Sequence, residues 1–549
     1  MLDDWKRFEL YLDIADKGFF LIETCEYDIV EKILLDINQK KKALFVDFSK
    51  HTPDYYNTNF DRSEHNCVVF YNLQFFEEAV KVIDSFNMNR DNFAANNIVY
   101  IFILPKYLAD YLTINTPNLH SYMTGHIELK RTYEPPFRPL LSLDNFVIDK
   151  KQIREERIAR RDYKTIKNIK TYKDLFYCIE YYKYNRASKR ELIGLLESAV
   201  ELYKNDIASV NGSIANVDTS NLEQFYVEFM KVSFYQDREE LAEYAGMLAL
   251  SVLLSNLVVD IMRYDEYNKN VNLHRQEWYA IIRCEFKSES IPYIKAIKVI
   301  EVARFFAATL FYKKEYKIAL DWFYLINEIL DLDIHNGYQF DNNIKCMNTC
   351  DIVLCKYKLN GDRVYDEMYS SFDYALSFRK ENDLDIKTLF VLDYNDLVYK
   401  IMKGHVRYED YIFSEGQAEY YKKVCSEKSS IFASYLSLVA WIRGCIDGNL
   451  EEALELNRYA LALKRQVLTE NHYSIAESHY CNAVLYLLKG DALKAIVCRT
   501  KAYRILSVNS ERNHTFLEII KRFDKEYVNT INSLGQLKQY SDSITENNK

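Results

Sequence analysis

Glycine and proline are scarce in this sequence. Thirteen glycines and seven prolines together make up under 4% of its 549 residues, against about 12% in an average protein. β-Sandwiches and barrels need these residues at their many tight turns, so turn-rich β folds are excluded for most of the chain. Long helices joined by short polar turns are expected instead, and the 49% of hydrophobic residues supplies the apolar surface of a large core.

A basic excess, paired cysteines and a membrane-length apolar run are also missing. The net charge of −9 gives no overall attraction for nucleic acid or acidic lipid. The eleven cysteines lack short paired spacings, which favours a reducing compartment. The longest uncharged apolar run, Tyr244 to Val259, is shorter than the roughly 20 residues of a membrane span and predicts a buried helix. The start of the chain shows no signal peptide, so we expect a cytoplasmic protein without a membrane partner.

The first 130 residues follow a different pattern from the rest. Short runs rich in Val, Ile and Phe alternate with longer amphipathic stretches, as in a parallel sheet covered by helices. The predicted strands are Phe19 to Ile22, Ala43 to Phe48, Cys67 to Tyr71 and Ile98 to Leu104. This alternation predicts a small α/β domain over residues 1–130.

A connector is predicted after this domain, over residues 131–164. Pro135, Pro136 and Pro139 stiffen an extended chain and cannot continue a helix. The basic stretch from Lys150 to Lys173 overlaps the end of the connector and carries a net charge of +7. Amphipathic helices are predicted over residues 165–530, and residues 531–549 form a polar tail.

The helical region repeats imperfectly. Three segments align on an alanine that follows a polar turn, with a second small or aliphatic residue seven positions later. The aligned alanines are Ala319, Ala453 and Ala495, and the turns lie at Lys314, Gly448 and Gly490. Small residues at facing points let the two helices of an antiparallel pair approach closely. The spacing therefore predicts stacked helix pairs.

This pattern resembles the tetratricopeptide repeat (TPR). The stretch from Arg458 to Tyr503 is similar to the 42-residue variety of kinesin light chains and bacterial signalling proteins. Two positions depart from that family: Trp441 stands where a small residue is expected, and Tyr473 follows His472 where proline is usual.

Nucleotide-binding elements are missing from the α/β domain. The residues after Phe20 to Ile22 include Glu23, Glu26 and Asp28 but neither glycine nor lysine, although a phosphate loop needs both. The strand Cys67 to Tyr71 ends without the acidic residues that bind magnesium in such enzymes. We therefore expect no catalytic residue and no cofactor.

The later part of the domain nevertheless carries a resemblance. The run from Asn87 to Leu129 looks like the second half of the P-loop-type domain that precedes tetratricopeptide repeats in bacterial signalling proteins of the STAND kind. The matching positions are Asn87, Arg90, Asp91, Leu104, Pro105, Pro117, Ser121 and Gly125, while Tyr122 and Met123 depart from the pattern. The resemblance implies a nucleotide-binding fold that has lost its chemistry, in a bacterial signalling or anti-phage setting where such proteins sense a trigger and hold an effector, for instance a protease encoded nearby.

The sequence thus predicts a mainly α protein, with a small, degenerate P-loop NTPase-like α/β domain followed by a TPR-like α-solenoid. Its predicted function is that of a non-enzymatic scaffold or regulator that binds a protein partner. In stacked helix pairs the first helices line the concave face. The predicted partner-binding residues on that face are Tyr435, Leu438, Ile442, Glu477, Tyr480, Val484 and Leu487. The alternative is that another part of the same chain covers this face.

Two other functions stay open. A nucleic-acid sensor would use the basic stripe of Arg154, Arg157, Arg161 and Lys164, which recur every three or four residues, with Tyr163 and Tyr172 as stacking surfaces. The favoured interpretation of the stripe is instead that it docks on the acidic remainder of the same chain. A nucleotide-binding switch would retain weak binding of a nucleoside triphosphate without hydrolysing it.

Metal sites are not expected. Cys346, Cys350 and Cys355 lack the closer pairs and second cluster of a zinc site and are interpreted as buried apolar residues. His472 and His479 have no Cys or Ser partner that suggests catalysis and are assigned to structure.

Overall fold

The computed structural model describes most of the chain. The described residues are 2–24, 26–52, 64–76, 78–129, 133–141, 158–166, 168–185, 187–209, 219–236, 238–254, 264–287, 291–331, 340–360, 384–404, 406–425, 430–468, 470, 472–508, 513 and 516–529. They divide into two units: Met1–Arg138 together with Leu397–Lys549, and Pro139–Asp396. The first unit therefore joins the N-terminal domain to the last helices of the chain.

A five-stranded parallel sheet forms the centre of the N-terminal domain. Its strands are β1 (Gly18–Glu23), β2 (Ala43–Asp47), β3 (Cys67–Tyr71), β4 (Val99–Leu104) and β5 (Met123–Glu128). They are arranged in the order β2-β3-β4-β1-β5. The four predicted strands are confirmed, because buried parallel strands appear in a sequence as nearly continuous apolar runs.

The fifth strand was not predicted as a strand. Its residues alternate between half-buried and exposed, and only Ile127 is fully buried. β5 lies at the edge of the sheet beside β1, so it needs few apolar residues and lacks the signal that marks the other four.

Helices cover both faces of the sheet. They are α1 (Leu2–Ile14), α2 (Tyr27–Lys40), α3 (Ala79–Ala94), α4 (Lys106–Asn115) and the short α5 (Pro117–His120). α1 and α2 pack on the face that carries Phe20 and Ile22, whereas α3, α4 and α5 pack on the face of Phe19 and Leu21. The chain runs from β1 to β2 at the far edge of the sheet and then returns through β3 and β4 to β5. Because crossover connections between parallel strands are right-handed, α2 on the outward path and α3, α4 and α5 on the return path lie on opposite faces.

The second unit is built of helices around one large apolar core. They are α6 (Tyr172–Tyr184), α7 (Lys189–Ser209), α8 (Ser220–Tyr235), α9 (Glu239–Leu254), α10 (Tyr264–Lys269), α11 (Val271–Lys287), α12 (Tyr293–Tyr312), α13 (Tyr316–Asp331) and α14 (Asn342–Asn360). The predicted buried helix from Tyr244 is confirmed as far as Leu254, the end of α9, and its last residues lie outside the described part of the chain. The next helix, α15 (Ile386–Lys403), crosses the boundary between the units.

The C-terminal helices pack in sequential pairs. They are α16 (Tyr408–Cys425), α17 (Ser430–Cys445), α18 (Leu450–Val467), α19 (Tyr473–Leu488) and α20 (Ala492–Ser507), followed by helical residues 516–529. α17 pairs with α18, and α19 with α20. Each pair is joined at a glycine with positive φ, Gly448 at 81° and Gly490 at 83°, a conformation that glycine adopts without steric cost.

The small residues of the predicted repeat lie where these helices meet. Ala453, Ala495 and Ala502 are fully buried, and so is Ala319 in the second unit. Lys314, the third predicted turn, also has a positive φ of 65°. The predicted fold class, a small N-terminal α/β domain followed by helix pairs, is confirmed; the predicted domain boundaries stay predictions.

Candidate functional site

The carboxyl ends of β1 and β4 are where an α/β sheet of this order would bind a ligand, because the connections after these neighbouring strands leave to opposite faces. The N–H of Thr24 donates to the carbonyl of Leu104 at 2.9 Å, which ties the two strand ends together. Glu23 and Glu26 are buried beside this contact. Acidic side chains do not provide the positive charge that attracts the phosphates of a nucleotide.

Side chains at the ends of the strands β2 and β3 stabilise the backbone of the turns that follow. Asp47 ends β2 and accepts hydrogen bonds from the backbone N–H and hydroxyl of Ser49, at 3.0 and 2.6 Å, and from the amide of Asn72, at 2.9 Å. Burial acts to raise the pKa of Asp47, but these hydrogen bonds outweigh it and hold the pKa below its ordinary value. Asn72 itself sits in the left-handed region with φ 61°. This carboxylate therefore stabilises two turns.

The seven residues predicted to line an open groove are all buried. Each is at most 2% exposed, and they belong to α17 and α19. The members of this set are Tyr435, Leu438, Ile442, Glu477, Tyr480, Val484 and Leu487. Their burial favours the alternative stated above, in which another part of the same chain covers this face, and their role in binding a partner stays a prediction. Any partner that reached these residues would first have to displace that cover.

A segment outside the helices and strands, residues 133–138, supplies part of the cover. Phe137 is buried and meets the ring of Trp441 edge-on, with centroids 6.0 Å apart. The guanidinium of Arg138 lies 4.0 Å from the centroid of the Tyr473 ring, a cation–π contact. We call residues 133–138 the covering segment.

Helical residues 516–529 complete the cover. Phe516 and Phe523 both meet the ring of Tyr480 at centroid distances of 5.7 and 5.6 Å. The covering segment also reaches this helix: Tyr133 contacts Phe523 at 6.3 Å, and Glu134 forms an ion pair with Arg522. We call Trp441, Tyr473 and Tyr480 the aromatic face of α17 and α19. Two segments of the same chain thus pack on this face.

A buried lysine crosslinks three of the C-terminal helices. The Nζ of Lys464, on α18, donates to the hydroxyls of Ser437 and Ser478 at 3.0 and 2.9 Å and to the carbonyl of Ser474 at 3.2 Å. These acceptors match the three donors of an ammonium group. Burial lowers the pKa of Lys464 to about 8, although Glu477 opposes the shift. The contacts join α17, α18 and α19 and give Lys464 a structural role.

A charged cluster connects the α/β domain to the same helices. Tyr107, in the first turn of α4, stacks on Tyr411 of α16 at 5.9 Å and hydrogen-bonds the carboxylate of Asp447. Arg443 lies over the Tyr411 ring at 4.8 Å and 3.6 Å from Asp447. Burial raises the pKa of Asp447 to about 7 against the opposing effects of Arg443 and Tyr107.

Comparisons with known proteins identify no family. No protein-family model and no curated protein matches the sequence. A solved structure of a Signal Transduction ATPase with Numerous Domains (STAND) protein with a tetratricopeptide repeat sensor, from Pyrococcus horikoshii, aligns with 99% of this chain and 96% of its own. Sequence identity is 11% and the TM-score is 0.28. Two backbones that superpose this poorly share no demonstrated fold, so the alignment carries no weight for this chain.

The basic stripe is only partly described. Arg154 and Arg157 lie outside the described residues, whereas Arg161 and Lys164 are exposed. Arg161 forms an ion pair with Asp162 at 3.1 Å. Because two of the four predicted cations lie outside the described residues, the structure does not test the stripe, and its role in binding nucleic acid stays a prediction.

The tyrosines near the stripe are engaged within the chain. Tyr163 stacks on Tyr181 with centroids 4.0 Å apart. The hydroxyl of Tyr172 interacts with Asp206, and burial is the main reason why the pKa of Tyr172 is raised. Both residues are half-buried, and their role as stacking surfaces for nucleic acid stays a prediction.

The cysteine and histidine candidates are buried in helices or cap a helix. Cys346, Cys350 and Cys355 are buried in α14. The Nδ1 of His472 accepts the backbone N–H of Ser474 at 3.1 Å and caps α19, while burial is the largest cause that lowers the pKa of buried His479, to about 4. Within the described part of the chain, no group of three or more His, Cys, Asp and Glu side chains is placed to hold a metal ion.

No described helix has the length and apolarity needed to cross a bilayer.

Proposed function

We propose that this chain is a non-enzymatic scaffold or regulatory protein whose TPR-like C-terminal helices bind a protein partner. The observation that carries the proposal is the covering segment. Helices α17 and α19 hold this non-helical stretch of chain through an aromatic contact at Trp441 and a cation–π contact at Tyr473. A surface that binds a segment of its own chain in this way has the chemistry to bind one from another protein.

The covering segment defines the ligand class. Pro135 and Pro136 restrict φ and favour an extended backbone, so little conformational entropy is lost on binding. An aromatic ring followed by a guanidinium then occupies the surface. A partner would present a proline-containing extended segment with the same order of groups and would compete with residues 133–138 for Trp441 and Tyr473.

The absence of nucleotide chemistry is part of the proposal. It is supported by the buried acids Glu23 and Glu26 at the edge where a nucleotide would bind. We place the protein in the cytoplasm, in bacterial signalling or antiviral defence, with an effector such as a nearby-encoded protease as partner, on the resemblance of residues Asn87 to Leu129 to STAND proteins. Sustained magnesium-dependent turnover of ATP or GTP by the purified chain would refute the non-enzymatic role.

A peptide added in trans tests the binding surface. The double variant Phe137→Ala with Arg138→Ala removes both anchoring groups of the covering segment. A fluorescein-labelled peptide of residues 131–141 should bind this variant saturably in fluorescence anisotropy, and bind the wild type far more weakly because its own segment occupies the site.

Two controls keep the result interpretable. Phe75→Ala removes an exposed phenylalanine of the α/β domain and should leave the weak binding of the wild type unchanged. A peptide that carries alanine at both anchor positions should not bind the opened variant. If the opened variant keeps its helical circular dichroism but does not bind the native peptide, the proposed surface does not exist.

A further inference from the structure

Helix α16 carries an exposed apolar ridge. Ile412 and Tyr420 are 50% and 40% exposed, and Gly416 lies between them, four residues from each. Residues four apart form a continuous ridge on a helix surface. The inner side of the same helix is packed against α17 and α4 through buried Tyr411 and Tyr421, so the ridge faces away from that packing.

The glycine at the centre of the ridge makes no close packing contact with the described part of the chain. A Cβ added at Gly416 would meet no atom within 4 Å. Glycine in the middle of an exposed helix costs about 1 kcal/mol relative to alanine, and here no turn or internal contact explains the cost. A second helix that packs across this position would explain it, because a missing side chain allows two helix axes to approach closely.

The charges on the ridge are arranged symmetrically about the glycine. Glu409 and Lys423 each lie seven residues from Gly416, about 10 Å along the helix axis. Both are exposed, and neither forms an ion pair within the described part of the chain. The nearby Asp410 and Lys422 differ, because they pair with Lys400 and Glu419.

This symmetry makes the ridge complementary to itself. When two copies of α16 pack antiparallel and cross at Gly416, Glu409 of one copy reaches the level of Lys423 in the other, and Ile412 reaches the level of Tyr420. Both contacts occur twice, as required of an interface with two-fold symmetry. A parallel arrangement would instead place like charges side by side.

We propose that α16 is a homodimer interface, in which a second copy of this chain packs antiparallel across Gly416. One helix pair buries less area than a standard protein–protein interface, so the dimer is weak and depends on protein concentration. The interface lies on a different surface from the aromatic face of α17 and α19 and does not depend on the proposed peptide binding.

Sedimentation velocity over a wide range of concentrations tests the proposal. The wild type should shift from monomer to dimer. Gly416→Leu and Ile412→Glu should each remove the dimer, the first by holding the helices apart. Gly194→Leu, at an α7 glycine that also has no neighbour within 4 Å of an added Cβ, is the matched control and should dimerise like the wild type.

Charge reversal provides the decisive comparison. Glu409→Lys or Lys423→Glu alone replaces two attractive contacts with two repulsive ones and should weaken the dimer about tenfold. The double variant restores opposite charges at both contacts and should recover the affinity of the wild type. Glu455→Lys on α18 is the control reversal and should change nothing. A wild type that stays monomeric, a dimer insensitive to Ile412→Glu, or a double variant as weak as the single ones would each overturn the proposal.

Discussion

Gly444 offers the sharpest test of how closely the C-terminal helices pack. It lies in the last turn of α17, where an added Cβ would stand 2.0 Å from Cδ2 of Leu485 on α19 and 3.1 Å from Cβ of Ala453 on α18. Two carbon atoms in ordinary contact are about 3.5 to 4.0 Å apart. Gly444→Ala therefore forces Leu485 to move by roughly 1.5 Å or more, although Leu485 is fully buried.

Two opposing effects set the size of the change. Replacing glycine with alanine in a helix stabilises it by at most about 1 kcal/mol, and overpacking a buried site costs about 1 to 3 kcal/mol. We expect Gly444→Ala to lower the local free energy of unfolding by about 1 to 2 kcal/mol. Gly194→Ala in α7, where the added methyl meets nothing within 4 Å, should raise it by up to about 1 kcal/mol.

Hydrogen–deuterium exchange of peptides from each helix measures these local free energies. A second variant isolates the contact: Leu485→Ala alone should cost about 2 to 5 kcal/mol, and in that background Gly444→Ala should become neutral or stabilising. The coupling energy between the two positions should then exceed about 1 kcal/mol. If Gly444→Ala stabilises its helix as much as Gly194→Ala does, the close approach of the three helices is refuted.

Two further predictions concern the same helices. Ala495→Leu adds three carbons at a fully buried contact of α20 and should cost about 1 to 3 kcal/mol in urea unfolding, whereas the exposed Leu493→Ala should change stability little. Asp447 has an ordinary pKa of 3.8 that burial raises to about 7, so the native state binds a proton that the unfolded chain releases. Its contribution to stability should therefore fall by about 1 to 4 kcal/mol as the pH rises from about 4 to about 7 and stay level above. Asp447→Asn, which can still accept the hydrogen bond of Tyr107, should remove this slope from urea midpoints measured across that range, and an unchanged slope would refute the assignment.

Strands and turns were predicted correctly where their own residues form a recognisable sequence pattern. The strand from Ile98 to Leu104 is buried along its whole length, so its apolar run marked it. The turns at Gly448 and Gly490 were predicted because glycine tolerates the positive φ found there. β5 escaped because an edge strand with one fully buried residue, Ile127, has no such run.

The cover of the aromatic face depends on residues far apart in the chain. Phe137 and Trp441 are separated by about 300 positions, and no periodicity joins them. The prolines predicted an extended connector, and Phe137 and Arg138, which lie between Pro136 and Pro139, were the available sign that it binds something. The periodicity of the helices therefore left two alternatives, an open inner face and one covered by the same chain, and the burial of these residues favours the second.

The composition of α19 could have decided between these two alternatives. This helix is buried on every side, yet it contains Ser474, Glu477, Ser478 and Asn482. Buried polar groups require partners, and α18 supplies them: Lys464 donates to Ser478 at 2.9 Å, and the Asn457 amide donates to Asn482 at 2.9 Å. A helix that mixes such residues with Tyr480 and Val484 on all its faces is neither amphipathic nor purely apolar, which indicates a central helix surrounded by protein.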